Sequence, residues 1–154
     1  MNYFLGLGTN IGDLQENLNS AIEFIKGISG ISIVKSSSVY KTKPWGFKEQ
    51  SDFLNMVIML QFGESPEVLM HHLREIETKM GKAVLCKWGP RVIDIDILFC
   101  DDLIFDTEHL TIPHPEMYKR DFVLLPMMEI APEFVHPIFK LTIEELYDNF
   151  VAEC

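Results

Sequence analysis

Basic residues are scarce in this sequence. Its 154 residues include 13 Lys and Arg against 23 Asp and Glu, which gives a net charge of -10. A protein that holds duplex nucleic acid or anionic lipid over a broad face needs the opposite balance, because Lys and Arg neutralise the phosphates. The composition therefore predicts no nucleic-acid partner and no membrane-surface partner.

Long apolar runs and paired cysteines are also missing. The longest apolar runs, such as residues 56–60, are far shorter than the roughly 20 residues of a membrane-spanning helix. The first ten residues show no basic segment followed by a long apolar one, as a secretion signal would. The three cysteines, Cys86, Cys100 and Cys154, cannot all pair and lack the paired spacing of zinc ligands. We expect no membrane span, no zinc and a reducing cytoplasmic location.

The balance of hydrophobic and charged residues fits one folded domain. Hydrophobic residues make up 47% of the chain and charged residues 23%, without repeats or low-complexity segments. A chain of this size and balance can bury a sizeable core. We therefore expect a single domain over residues 1–154.

Hydrophobic periodicity predicts the order of the elements. Residues 2–8, 31–40, 53–62 and 92–99 have the composition or alternation of strands. A helix is expected from Asp13 to Gly27, and a second from Ser65 to Gly81. This order is typical of an α+β, ferredoxin-like βαββαβ unit, with an antiparallel sheet, both helices on one face and the other face open to a ligand.

Residues 104–154 are expected to extend this unit with a short strand pair and helices, the last of which begins at Thr142 with Glu145 completing a capping box. Side chains alternate along strands, so Asn55 should lie on the same face as Phe53. On the last strand, alternation places Asp94 and Asp96 on one face, and on the other Ile93, Ile95, Ile97 and Phe99.

Asp94 and Asp96 are the first candidates for chemistry. Two residues apart on a strand, their carboxylates can hold hard cations between them, although an isolated pair is more often a solvated strand face. Residues 79–91 contain four cations and no acid, against the charge of the whole chain. A cationic loop that runs into a carboxylate pair suits a magnesium-bound polyphosphate, and a nucleoside triphosphate is the natural candidate.

Three further residues have a functional and a structural interpretation. His114 lies between two prolines, which fix its direction, although spacing alone favours an incidental histidine in a turn. Trp45 and Trp88 each precede a glycine and could stack on a flat heterocycle, although such residues more often cap a core.

Several segments together make the sequence resemble the 6-hydroxymethyl-7,8-dihydropterin pyrophosphokinase (HPPK) family over almost its whole length. They are LGTNIGD at residues 7–13, Thr42, Gly46 and FLN at 53–55, WGPRVIDIDIL at 88–98, TIPHP at 111–115, RDFVLLP at 120–126 and EIAP at 129–132. The resemblance implies the same ferredoxin-like fold. It also implies transfer of diphosphate from ATP to the hydroxymethyl group of a reduced pterin, with release of AMP, in folate biosynthesis.

The resemblance also implies residue roles. Asp94 and Asp96 would hold two magnesium ions, and Arg91 and Lys82 would act with them in catalysis. The pterin would be bound by Thr42, Trp45, Phe53, Asn55, Trp88 and Phe122. ATP would be bound by Arg74, Glu77, Lys82, Lys87, Trp88, Arg91, His114 and Arg120. We expect the chain to act as a monomer on these small molecules.

The phosphate-binding loop departs from the family pattern. Lys82 and Lys87 stand where members commonly carry arginine, and His109 where some carry another basic residue. Lysine keeps the charge but loses the bidentate fork of arginine. Two other hypotheses stay open from sequence: a non-catalytic module that binds an effector on its open face, and a different magnesium-dependent nucleotidyl or phosphoryl transferase.

Overall fold

The computed structural model describes residues 1–43, 52–81 and 92–153. Its centre is an antiparallel sheet with β1 (Asn2–Thr9), β2 (Ser32–Ser36), β3 (Tyr40–Thr42), β4 (Phe53–Gln61) and β5 (Asp94–Cys100). β1 lies between β4 and β5, while β2 and β3 pair with the other edge of β4. The stretch at 31–40, predicted as one strand, thus contributes to two. Between them, Ser37 exchanges hydrogen bonds of 2.9 Å with the backbone of Val57.

Two helices cover one face of this sheet. The carboxylate of Asp13 accepts a hydrogen bond from the Glu16 amide (3.2 Å) and begins α1 (Leu14–Lys26), which Gly27 ends. The Ser65 hydroxyl accepts one from the Val68 amide (3.3 Å) and begins α2 (Pro66–Lys79). Both predicted helix starts are confirmed. In the described ranges, no helix has the length and apolarity needed to cross a membrane.

Apolar side chains fill the space between these helices and the sheet. They form the first core cluster, which includes Leu5, Leu7, Leu18, Ile25, Met56, Ile58, Leu60, Leu69, Leu73 and Ile95. Met56, Ile58 and Leu60 alternate along β4 and therefore share the face that packs in this cluster. Burial of each such side chain stabilises the fold by about 1.5–3 kcal/mol.

The C-terminal residues cover part of the other face. β6 (Phe105–Asp106) pairs with β7 (Thr111–Ile112), followed by α3 (Asp121–Ile130) and α4 (Ile143–Ala152). The predicted capping box at Thr142 and Glu145 is confirmed, with bonds of 3.1 and 3.0 Å. α3 and α4 form a second core cluster on the sheet, with members that include Phe4, Val57, Val123, Leu124, Met127, Ile143 and Leu146.

The expectation of an open second face therefore holds for only part of that face. Phe4 and Val57 make part of that face apolar, and the C-terminal helices bury it. The part that α3 leaves uncovered carries Gly6, Gly8 and the two aspartates of β5.

A β-bulge near the end of β5 overturns one predicted side-chain direction. Leu5 opposes Ile97 while Phe4 opposes Phe99, so the register shifts by one residue at Leu98. An extra residue reverses the alternation beyond it. Phe99 consequently packs in the second core cluster rather than with Ile93, Ile95 and Ile97 in the first.

Candidate active site

A pocket opens on the sheet where α3 stops covering it. Its floor is the β1 backbone at Gly6 and Gly8, which carry no side chain to fill the space. The surrounding residues are Leu7, Thr42, Lys43, Phe53, Asn55, Met56, Asp94, Asp96, Leu98, Arg120, Phe122 and Val123. The pocket thus combines an apolar wall with convergent polar groups, as small-molecule sites do.

Asp94 and Asp96 both line this pocket. In the β1–β5 register Asp94 opposes Gly8 and Asp96 opposes Gly6, which places both carboxylates over the glycine floor. Burial and the neighbouring Asp94 raise the pKa of Asp96 to about 7, although Arg74 and Arg120 act in the opposite direction. The site therefore concentrates negative charge that a bound cation would relieve.

The donor set fits magnesium in one specific way. In the described portions of the chain, no group of three or more His, Cys, Asp or Glu side chains is placed to hold a metal ion. Magnesium, however, is usually held by one or two carboxylates together with substrate phosphates and water, rather than by an all-protein cage. Asp94 and Asp96 offer that carboxylate set.

His114 reaches the carboxylate pair from the segment after β7. Its Nε2 lies 3.9 Å from Oδ2 of Asp96, while its Nδ1 accepts a hydrogen bond from the Glu116 amide (3.2 Å). Its own amide donates to the carbonyl of Leu98 (3.0 Å), which fixes the segment to β5. Burial, and secondarily Arg120, lower the pKa of His114 to about 4. Near neutral pH the imidazole is uncharged and carries its proton on Nε2, towards Asp96.

Arg120 supplies the cationic wall of the pocket. It is 9% exposed and precedes α3 directly. Its guanidinium lies 5.5 Å from the centre of the Phe122 ring, a cation–π distance. Burial lowers its pKa, and Asp96 acts in the opposite direction. Arginine stays charged under such a shift and can face phosphate oxygens.

An amide and a hydroxyl form the opposite end of the pocket. Nδ2 of Asn55 donates to Oγ1 of Thr42 (2.6 Å) across the β3–β4 pair, and Asn55 is 5% exposed. Gly8 makes room for this amide, because a Cβ at residue 8 would lie 2.8 Å from Oδ1 of Asn55. Phe53 and Phe122 line the same pocket. This end can recognise a flat ring that has a polar edge.

Arg74 and Glu77 lie on α2 beside β5 and outside the pocket lining. They form an ion pair, and both also bond the backbone of Ile95, between the two aspartates. The prediction that they bind ATP stays a prediction.

Five predicted site residues lie outside the described residues: Trp45, Lys82, Lys87, Trp88 and Arg91. Thr42, Phe53, Asn55, Asp94, Asp96, Arg120 and Phe122 come together in one pocket, with His114 at its edge. Sequence reasoning missed Lys43 and the glycine floor. The alternating glycines at residues 6 and 8 were a usable signal, since they empty one face of a strand.

The chain is similar to known proteins in sequence and in fold. The pattern of the 7,8-dihydro-6-hydroxymethylpterin-pyrophosphokinase (HPPK) family matches residues 4–132. A 2-amino-4-hydroxy-6-hydroxymethyldihydropteridine pyrophosphokinase of Aquifex aeolicus is 40% identical over 142 residues, 92% of this chain and 88% of that protein. The Haemophilus influenzae protein of the same name is 38% identical over 147 residues, 96% of this chain and 91% of that protein.

The crystal structure of wild-type Plasmodium falciparum HPPK-DHPS has a similar fold, with a TM-score of 0.78 at 18% identity. The match covers 99% of this chain and 41% of that chain. The matched part of that chain shares with this protein a mixed α and β fold with an antiparallel sheet.

Proposed function

The chain belongs to the 7,8-dihydro-6-hydroxymethylpterin-pyrophosphokinase (HPPK) family, and we propose that it transfers diphosphate from ATP to 6-hydroxymethyl-7,8-dihydropterin in folate biosynthesis. The observation that carries this proposal is one pocket with two ends. Asp94 and Asp96 stand at one end, and the Asn55–Thr42 amide–hydroxyl pair stands at the other.

The acidic end is the place of the reaction. The hydroxymethyl oxygen of the pterin forms a bond to the β-phosphorus of ATP, the bond from that phosphorus to the AMP oxygen breaks, and AMP leaves. Asp94 and Asp96 would hold two magnesium ions there together with the phosphates. When bound, magnesium neutralises phosphate charge and acidifies the attacking hydroxyl. His114 and Arg120 face phosphate oxygens, His114 through its Nε2 proton and Arg120 through its charge.

The amide end orients the pterin. The buried Asn55 amide, held by Thr42, pairs with the polar edge of the ring, and Phe53 and Phe122 contact its faces. A buried edge left unpaired is destabilising by about 1–3 kcal/mol, so this end discriminates against rings with another edge pattern.

The remaining roles come from the resemblance alone. Trp45 and Trp88 would bind the pterin, and Trp88 would also bind ATP and close over the site. Lys82, Lys87 and Arg91 bind the phosphates of ATP, with Lys82 and Arg91 acting in the transfer step. Arg74 and Glu77 lie near the nucleotide.

We also propose a fold unit, a domain organisation, an oligomeric state and a location for the chain. The order β2-β4-β1-β5, with α1 and α2 on one face, supports a ferredoxin-like βαββαβ unit. Two core clusters on the two faces of one sheet support a single domain over residues 1–154. The chain acts as a cytoplasmic monomer.

A product assay tests the function. The purified chain, ATP, magnesium and 6-hydroxymethyl-7,8-dihydropterin should yield AMP and the pterin diphosphate in equal amounts. Formation of ADP or free pyrophosphate would favour another phosphoryl or nucleotidyl transferase. Binding without turnover would favour a non-catalytic module.

A further inference from the structure

We propose that Arg74 and Glu77 are positioning residues that hold Asp94 and Asp96 in place through the backbone of Ile95. This inference rests on the proposed metal-holding role of the two aspartates. It assigns to the pair a task that needs no contact with ATP.

The first observation is the pair of hydrogen bonds at Ile95. Its amide donates to Oε2 of Glu77 (2.8 Å), and its carbonyl accepts from Nη2 of Arg74 (3.0 Å). In an antiparallel strand the N–H and C=O of one residue point to the same side. At Ile95 they point away from β1, towards α2, so side chains of a helix take the place that a neighbouring strand would fill.

The second observation concerns how Arg74 and Glu77, which together we call the clamp, are held on α2. Glu77 is 2% exposed and ion-paired with Arg74 three residues before it. Leu73 and Ile76, between them on α2, are buried in the first core cluster. A buried carboxylate is retained when it is paired and hydrogen-bonded, and both conditions hold for Glu77.

The consequence reaches the site because Ile95 is the residue between the two aspartates. Its side chain is fully buried in the first core cluster, and its peptide groups are held by α2. The backbone cannot rotate there without breaking a buried hydrogen bond. The Cα–Cβ directions of Asp94 and Asp96 are thereby set before any cation arrives, although two like charges repel each other.

The test uses three variants and two controls. Arg74→Ala and Glu77→Ala remove the clamp, whereas Glu77→Gln keeps an acceptor for the Ile95 amide. Glu75→Ala removes an exposed side-chain contact on the same helix, in which Oε1 of Glu75 lies 2.6 Å from Nε2 of His71. Leu18→Ala lowers stability from the buried face of α1, the helix that packs against β1.

Three quantities are measured: amide hydrogen exchange at Ile95 in the ligand-free protein, the magnesium concentration for half-maximal diphosphate transfer, and the Kd of ATP in EDTA. Removing a group that orients a metal ligand lowers metal affinity about 10-fold or more. Both alanine variants should therefore exchange the Ile95 amide faster and need about 10-fold more magnesium. Their ATP Kd without magnesium should not change.

The controls make the result specific. Glu77→Gln should recover part of the magnesium dependence, and both Glu75→Ala and Leu18→Ala should keep that of the parent. If Arg74→Ala instead weakens ATP in EDTA and leaves the magnesium requirement unchanged, the pair contacts the nucleotide and the positioning role is wrong. The same holds if Leu18→Ala, at equal loss of thermal stability, shifts the magnesium requirement as much.

Glu77→Ala could fail to fold, and Arg74→Lys then decides the question. Lysine keeps a cation beside Glu77 but lacks the second guanidinium nitrogen, which donates to the Ile95 carbonyl in the parent. Arg74→Lys should therefore still raise the magnesium requirement.

The variant Asp94→Asn separates this inference from the metal-holding role on which it rests. If Asp94→Asn transfers diphosphate normally, the metal assignment itself fails. If Asp94→Asn is inactive and the clamp variants behave as the parent, only the clamp fails.

Discussion

The two faces of the central sheet differ in what they contribute. The face under α1 and α2 is packed throughout by apolar side chains, among them Leu5, Leu60 and Ile95. The opposite face is divided between an apolar part under α3 and α4 and a bare part with glycines and two aspartates. Because strand side chains alternate, the same strands supply both faces. One side of the backbone thus contributes to stability, while the other is divided between stability and chemistry, so the bare part can be altered without disturbing the first core cluster.

The largest expected effect is a loss of diphosphate transfer in Asp94→Asn and Asp96→Asn, which change only the bare part of the sheet. Each removes an anionic metal ligand, which should raise the barrier to diphosphate transfer by about 4 kcal/mol, roughly a thousandfold. Thermal stability should stay or rise, since one of two neighbouring like charges is gone. AMP release and thermal melting measure the two quantities. Near-normal release from either variant would remove the carboxylates from the reaction.

Leu60→Ala should show the reverse behaviour. Leu60 is fully buried on β4 in the first core cluster, and its truncation should lower the free energy of unfolding by about 3 kcal/mol. The transfer rate per folded molecule should not change. Urea unfolding with an active-site titration checks this. Val34→Ala is the control, since Val34 is 46% exposed and should change stability by about 0.5 kcal/mol or less.

Asn55→Ala should weaken pterin binding because the ring edge loses its amide partner, and Gly8→Ala should have the same effect. The added Cβ would lie 2.8 Å from Oδ1 of Asn55 and displace the amide, which should weaken pterin binding by about 2 kcal/mol. Binding of a non-hydrolysable ATP analogue should be less affected in both variants. Calorimetry with each ligand measures this. Gly63→Ala is the matched control, because a Cβ there meets nothing within 4 Å. Equal losses for both ligands would contradict the placement of Asn55.

The smallest expected effect is a pH dependence of the free energy of unfolding, which arises from His136 beside the second core cluster. His136 is 2% exposed and packs edge-on against Phe99, and its Nδ1 accepts from the amides of Ile138 and Phe139 (3.2 Å each). Burial lowers its pKa below the ordinary 6.5. The unfolded chain therefore binds a proton at this imidazole more readily than the folded chain does. The folded state keeps its full stability above pH 6.5 and loses part of it as the pH falls towards the folded pKa of His136.

His136→Asn keeps an acceptor for those amides but cannot titrate. Its stability should therefore fall less than that of the parent between pH 7 and pH 5, as followed by denaturant midpoints. Parallel slopes in the two proteins would show that folding does not lower the pKa of His136.

Local signals made much of the fold predictable. Asp13, Ser65 and Thr142 mark helix starts because a cap bonds an amide only three residues away. The alternation on β4 is local as well. The bulge at Leu98 was not predictable, because it exists only in the pairing of β5 with β1. The covering of the second face by α3 and α4 likewise depends on contacts between distant parts of the chain.

The site follows the same division. Asp94 and Asp96 were found from their spacing, which already fixes a shared face. The bond from Asn55 to Thr42 and the room left by Gly8 depend on which strands become neighbours. Arg74 and Glu77 were expected at ATP by resemblance. Their bonds to the Ile95 backbone could not be read from the sequence, because every residue offers the same N–H and C=O.

The glycine floor of the pocket bears on drug resistance. An inhibitor that lies on Gly6 and Gly8 contacts main chain, which substitution leaves in place. Resistance at residue 8 would require a side chain that meets the Asn55 amide, the group proposed to read the natural substrate. At residue 6 an added Cβ meets Leu98 at an ordinary 3.5 Å, so the protein would tolerate it, but the side chain would occupy space over the floor. Few substitutions at residues 6 and 8 would therefore exclude a compound confined to the volume of the pterin without also excluding the natural substrate.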